Sequence, residues 1–209
     1  MSNEISKKLQ KYFQINHLEH ALFYNWQHSL RFELSTGDSD IEMFISAYDR
    51  ARELLQYTFE NSDELHVLIK FYGDILNHKK QPKEMRRLKR CGFKLPETYD
   101  YGYFLEPEDS QINGYEYLLP VTINDSNYMA ILWAVCSKDL GLQPSAQISA
   151  YFIDFKKQVV AHPYDDRGLD IVATEKEALN TLYEDYYHWL LDYDLEIMNQ
   201  QFGKNAFKT

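Results

Sequence analysis

The nine residues HPYDDRGLD, 162 to 170, gather His162, Asp165, Asp166, Arg167, Gly168 and Asp170 into one short polar stretch. Imidazole and carboxylate groups at that density are the donors a hard divalent cation takes. His162, Asp165, Asp166 and Asp170 could therefore converge on Mg²⁺ or Mn²⁺ and leave coordinated water for hydrolysis. The same residue types also build a turn. Asp165 or Asp166 would cap it through backbone N–H bonds, and Arg167 would pair with a carboxylate, Glu33 of an earlier strand being one choice. Gly168 would take left-handed backbone, closed to residues with a Cβ. Turns select Asp and Gly with or without chemistry, so the structural reading is adopted and the metal-dependent hydrolase is kept as the alternative. No catalytic residue, metal ligand or cofactor is assigned.

Other candidates fit less well with the chemistry they would need. HLEH, 17 to 20, places two histidines around a glutamate but matches neither H-E-x-x-H nor its inverse, and reads as a polar helix edge. Asp154-Phe155-Lys156 has the residue types of a nuclease strand end, yet Lys156 falls where a hairpin turn is expected. The chain has no phosphate-cradling glycine loop, no G-x-S-x-G elbow and no G-x-G-x-x-G, which removes most support for P-loop enzymes, serine hydrolases and dinucleotide oxidoreductases.

Aromatic residues give the second lead. There are 17 tyrosines, five of them clustered in YDYGYF (99 to 104) and YEYL (115 to 118) with acids interspersed. Tyr99, Tyr101 and Tyr103 suit a protein-binding surface, because a tyrosine ring buries apolar area at little entropic cost while its hydroxyl stays hydrated. Such rings also close cores. From Asp165 to Glu196 there are ten acidic residues against Arg167 and Lys176, so Glu184, Asp185, Asp192 and Asp194 on the helix over 175–201 would attract a basic protein partner. Together these features point to a non-enzymatic interaction domain, with an immunity protein that blocks a basic toxin as one concrete version.

Charge is unevenly spread around the net −10. Residues 1 to 94 carry 15 basic and 13 acidic side chains, and residues 95 to 209 carry 7 and 19, so the halves hold +2 and −12. The one basic patch, residues 79 to 94, has eight basic residues and one acid. It reads as a solvated face or as a phosphate-binding surface; a nucleic-acid role for Lys83, Arg86, Arg87 and Arg90 ranks third, since such binders are usually basic overall. Cys91 and Cys136 form no C-x-x-C pair, which points to reduced structural thiols. Residues 1 to 10 lack the apolar segment of a secretory signal. The apolar run Met129 to Cys136 is too short to span a bilayer, so a cytoplasmic location with no membrane partner is expected.

The positioning elements follow from periodicity. Residues 5 to 13 form an amphipathic helix. LRFEL (30 to 34) alternates Leu30, Phe32 and Leu34 inward with Arg31 and Glu33 outward, the period of a half-buried strand. Ser39 and Glu42 form a capping box that opens a helix to about residue 60, with Phe44, Tyr48, Ala51, Leu55 and Phe59 on one face. Residues 64 to 72 form a second strand, and a basic helix after Pro82 closes near Gly92. Residues 117–123 and 128–136 are read as a hairpin around NDSN, and residues 147–155 and 158–163 as another around Lys156-Lys157. LDIVA (169 to 173) adds a strand. Thr174 and Glu177 then open a helix carrying Leu179, Leu182, Tyr186, Tyr193 and Ile197, with a break near Asp192. Strands clustering apart from helices give an α+β fold, a largely antiparallel sheet covered by helices in a single domain. Its N-terminal helix/strand/helix portion is 1–94, and its C-terminal meander with helices is 95–209.

On the runs LRFEL, PYDDRGLDIVA and YYHWLLDYD, the chain resembles an uncharacterised bacterial domain family of unknown function. Members of that family, about 200 residues long, carry R-F-E, Y-D-D-R-G-x-D and W-L-x-D-Y patterns. The resemblance implies a bacterial origin and supplies no mechanism.

Overall fold

The computed structural model describes residues 4–73, 83–105 and 113–203. Its strands form one seven-stranded sheet in the order β1-β7-β6-β5-β2-β4-β3, with every neighbouring pair antiparallel. The strands are β1 (His28–Glu33), β2 (His66–Tyr72), β3 (Asp100–Leu105), β4 (Asn113–Pro120), β5 (Ser149–Asp154), β6 (Val159–Pro163) and β7 (Gly168–Ala173). The fold is α+β, and both halves of the chain contribute to the same sheet: β2 lies between β5 and β4.

Alternation along each strand makes the two sheet faces chemically different. One face carries Leu30, Phe32, Leu169, Ile171, Ala161, Phe152, Val67, Ile69 and Leu119, all buried in the larger core. Over it pack α3 (Asp40–Phe59), α5 (Ser126–Ser137), α6 (Glu177–Asp185) and α7 (Leu195–Phe202). Each fully buried Leu or Phe there contributes about 1.5–3 kcal/mol. The opposite face has a smaller core, in which Ile5, Leu9 and Phe13 of α1 (Glu4–Phe13) cover Leu68, Leu118, Ile153, Val160 and Val172. Beyond that patch the same face turns polar. Cross-strand register aligns Arg31 with Asp170, Asp170 with His162, and Lys70 with Glu116. All five are buried or nearly so.

Local chemistry explains several element ends. At the start of α3, Ser39 and Glu42 bond reciprocally to each other's backbone N–H, the capping box expected from their spacing. Asp154 accepts from the N–H groups of Lys156 and Lys157 at 2.9 and 2.8 Å, forming the β5–β6 turn. The basic helix, α4 (Lys83–Arg90), ends at Gly92, whose φ is +105°. Residues 79–82 of the basic segment lie outside the described residues.

Three expected elements differ. Residues 128–136 are not a strand but most of α5. Asp125 accepts the N–H of Tyr128 at 2.7 Å and caps the helix, so the NDSN tetrapeptide is a helix start rather than a hairpin. The continuous apolar run reflects a helix buried nearly all round, and periodicity alone does not separate that from a buried strand. Thr174 and Glu177 form no capping box, because the Thr174 hydroxyl donates to Gln158 at 2.8 Å. The C-terminal helix breaks near Asp192, as expected, but the interruption begins earlier. Between α6 and α7 lie 3₁₀ turns at Tyr187–Trp189 and Asp192–Asp194, which shift the inward positions to Met198 and Phe202 and leave Tyr193 86% exposed. HLEH is a loop, not a helix edge.

Candidate functional site

An open cleft of about 500 Å³ lies beside the β1 end of the sheet, lined by His20, Arg31, Glu33, Tyr164, Asp165 and Arg167, among others. Its wall is built around Arg31. Nε and Nη2 of Arg31 donate to the two carboxylate oxygens of Asp170 at 2.7 and 3.0 Å, and Nη1 donates to Asp194 at 3.1 Å. Asp170 also accepts the backbone N–H of Phe23 at 3.1 Å. The guanidinium lies 4.8 Å from the Phe23 ring and 4.7 Å from that of Tyr24, both in α2 (Leu22–Asn25). Burial works against its charge, but the hydrogen bond and charge of Asp170 raise its pKa and keep it firmly protonated. One cation thus ties together β1, β7, α2 and the 3₁₀ turn at 192–194.

The polar turn sits on the next layer. The Asp165 carboxylate accepts the backbone N–H of Arg167 at 2.8 Å and its Nε at 3.0 Å, so Asp165 caps the turn and neutralises Arg167 itself. Arg167 therefore does not pair with Glu33. The turn is anchored by backbone instead, with Leu34 N–H donating to the Arg167 carbonyl at 2.9 Å. Gly168 is not left-handed; it opens β7. Glycine is required there because a Cβ would fall 1.8 Å from the Tyr164 hydroxyl oxygen and 3.1 Å from the Phe32 carbonyl oxygen. Lys138, at the end of α5, donates to the Tyr164 carbonyl and fixes the turn from below.

His162 faces the same layer but is wholly buried. Its Nδ1 is 2.8 Å from the Ala150 carbonyl, which can only accept, so Nδ1 carries the proton. Its Nε2 faces Nδ1 of His20 at 3.5 Å, and its ring stacks on Tyr151 at 4.1 Å. Burial pushes the imidazole pKa well below the usual histidine range and keeps it neutral. The loop before His20 crosses this polar face and supplies acceptors. The Leu18 carbonyl takes the Lys70 ammonium at 2.6 Å and the Glu19 carbonyl takes the Tyr151 hydroxyl at 3.3 Å. Asp166 is held by no side chain of this group, and burial followed by the charge of Asp165 raises its pKa.

The turn residues are therefore gathered, but each is engaged separately: Asp170 by Arg31, Asp165 by Arg167, His162 by a carbonyl. Among the described residues no group of three His, Cys, Asp or Glu side chains is placed to hold a metal ion. The other expected residues are not gathered. Tyr99, Tyr101 and Tyr103 lie at β3, whereas Glu184, Asp185, Asp192 and Asp194 lie beside β1, so five strands and roughly 29 Å separate them. Asp194 is 2% exposed and bonded to Arg31, which withdraws its charge from any partner surface. Asp185 accepts the hydroxyl of Tyr57. Sequence periodicity put Arg31 outward, and the HLEH pattern put His20 on a polar helix edge. The acids that surround Arg31 come from 139 and 163 residues away, and nothing local signals them.

Comparison with known proteins places this arrangement. The family model described as Domain of unknown function (DUF3885) matches residues 5–194. The chain belongs to this family. It is also similar to Uncharacterized protein YnaE of Bacillus subtilis (strain 168), at 22% identity over 88% of this chain and 96% of the relative. No solved structure matches. The family-matched region includes all three runs on which the resemblance was drawn, and in the structure they meet at one place. Arg31 comes from the first, Tyr164, Arg167 and Asp170 from the second, and Leu191 and Asp194 from the third. No described helix is long and apolar enough to cross a membrane.

Proposed function

We propose that this domain is a non-enzymatic protein-interaction module, and that its binding surface is the outer side of β3. The observation that carries this reading is an edge strand bearing a tyrosine ladder within a stretch of sequence rich in acidic residues. No described strand pairs with the outer side of β3. On it Tyr101 and Tyr103 stand 39% and 44% exposed, with ring centroids 5.0 Å from Tyr117 and 5.2 Å from Tyr115. From residue 95 to 118 the chain has six acidic residues and no Lys or Arg. An edge with no described strand beside it offers a partner main-chain hydrogen bonds, and the rings offer apolar area; Asp100 is paired with Lys8 at 2.9 Å and Glu116 is buried, so it falls to the other acids of the segment to favour positive charge. The occupant is a basic protein segment that adds as an extended strand; a basic toxin held in check by this domain is one concrete form.

The test is affinity capture from the native host at low salt, with the wild-type chain and the Tyr103→Lys variant side by side. The expected outcome is a basic protein retained by wild type alone, released as salt rises, and protecting β3 amides from hydrogen exchange. Retention by both chains, or protection confined to α6 and α7, overturns the reading. The alternative, a Mg²⁺- or Mn²⁺-dependent hydrolase on His162, Asp165, Asp166 and Asp170, asks three of those groups to leave the partners described above. A melting temperature unmoved by millimolar Mg²⁺ or Mn²⁺ counts against it.

A further inference from the structure

The basic helix has no place in that reading and carries a different one. α4 is amphipathic, with Met85 and Leu88 buried and Lys83, Arg86, Lys89 and Arg90 exposed. A solvated face would be expected to find its counterions among the acids of this −10 chain. Arg86 and Arg90 have no carboxylate partner among the described residues. Next to them lies a recess of about 170 Å³ lined by Arg87, Arg90, Gln143, Pro144 and Ser145, with no carboxylate in its lining.

The walls of that recess are fixed. Glu84 accepts from Arg87 at 2.8 Å and from the Gln147 N–H at 2.9 Å, pinning α4 to the 143–147 loop. Trp133 Nε1 donates to the Pro144 carbonyl at 2.7 Å, and Gln143 donates to the Ser145 hydroxyl at 3.1 Å. The Arg90 guanidinium therefore faces, with no carboxylate partner among the described residues, the Gln143 amide, the Ser145 hydroxyl and an Arg87 guanidinium that Glu84 engages through one nitrogen, on ground already held in place. Planar guanidinium forks match the oxygens of a phosphate. The volume takes one phosphoryl group and falls well short of the several hundred Å³ that a larger organic ligand occupies.

We propose that this recess is a phosphate-binding site for the terminal phosphate of a small phosphate ester, independent of the β3 edge. Titration calorimetry with inorganic phosphate and inorganic pyrophosphate, at ionic strength held constant with chloride, tests it on the whole chain. The expected result is saturable one-site binding that Arg90→Glu weakens by about tenfold or more, as the loss of a charge-assisted hydrogen bond predicts. Arg90 is exposed, so the ligand-free melting temperature of Arg90→Glu should match wild type, which separates lost binding from lost folding. Binding unchanged in Arg90→Glu, or abolished in wild type by chloride alone, overturns the proposal. So does tight, steeply salt-dependent binding of a single-stranded oligonucleotide without saturable pyrophosphate binding, which would make α4 an extended polyanion face.

Discussion

The two edges of the sheet solve the same problem in opposite ways. At β1 the edge is covered: Leu190 bridges to Phe32, Leu191 N–H donates to the Arg31 carbonyl at 2.9 Å, and Gln201 accepts the Ser29 N–H at 3.3 Å. Side chains then lock the cover in place, because Arg31 holds Asp170 from the neighbouring strand and Asp194 from the covering segment at once. At β3 no described segment pairs with the outer side, and tyrosines stand where charges or covering chain would blunt it. An edge closed by a buried ion pair is part of the fold. An edge that no described strand covers and that carries aromatic rings is the one the proposed interaction would use.

The largest expected effect is at the closed edge. Arg31→Met leaves Asp170 and Asp194 buried without their cation and should cost about 3–5 kcal/mol, read as a fall in the denaturant midpoint. A cost no larger than that of a surface substitution would mean that the clasp does not hold the cover, and the contrast between the edges would collapse. Gly168→Ala comes next. Its Cβ would strike the Tyr164 hydroxyl, so about 1–3 kcal/mol should be lost, and most of that cost should vanish in a Tyr164→Ala background.

A pH effect follows on the same side. His162 stays neutral in the folded protein but takes a proton in the unfolded chain below about 6.5. The unfolded state therefore binds more protons in acid, so stability is full above that pH and falls as pH drops below it. His162→Gln should flatten this acid limb by up to about 1 kcal/mol per pH unit in unfolding experiments between pH 7 and 5. An unchanged limb would show that His162 is not the group responsible. The smallest effect on stability belongs to the open edge. Tyr103→Lys gives up one cross-strand ring contact and should cost about 0.5–1 kcal/mol, while removing partner binding altogether. A large loss of stability there would make the tyrosines part of the core rather than a docking surface.

Much of the architecture was legible where a local rule decides it. β1, β2, β5, β6 and β7 follow from alternation or short apolar runs between turn residues, and the capping box at Ser39 marked the start of α3 to the residue. In the sequence Asp125 reads as part of a tight turn and not as a helix cap, because a helix buried nearly all round loses the period that would identify it. The HPYDDRGLD stretch was rightly placed between two strands, and the capping role of Asp165 follows from Asx chemistry. The role of Gly168 does not, because what excludes a Cβ there is a tyrosine hydroxyl, not the backbone angle.

By itself the sequence determined the α+β class, the acidic C-terminal half, the isolated basic helix and the polar corner at 162–170. Those depend on composition and on spacings of a few residues, which act wherever the chain goes. Only the tertiary structure decided which charges are spent and which remain. Asp170 and Asp194 are consumed because strand pairing and chain return bring Arg31 to them. The acids and tyrosines that look like one surface along the chain are set at opposite ends of a seven-stranded sheet. Electrostatic energy depends on distance and burial, and neither is fixed until distant segments pack.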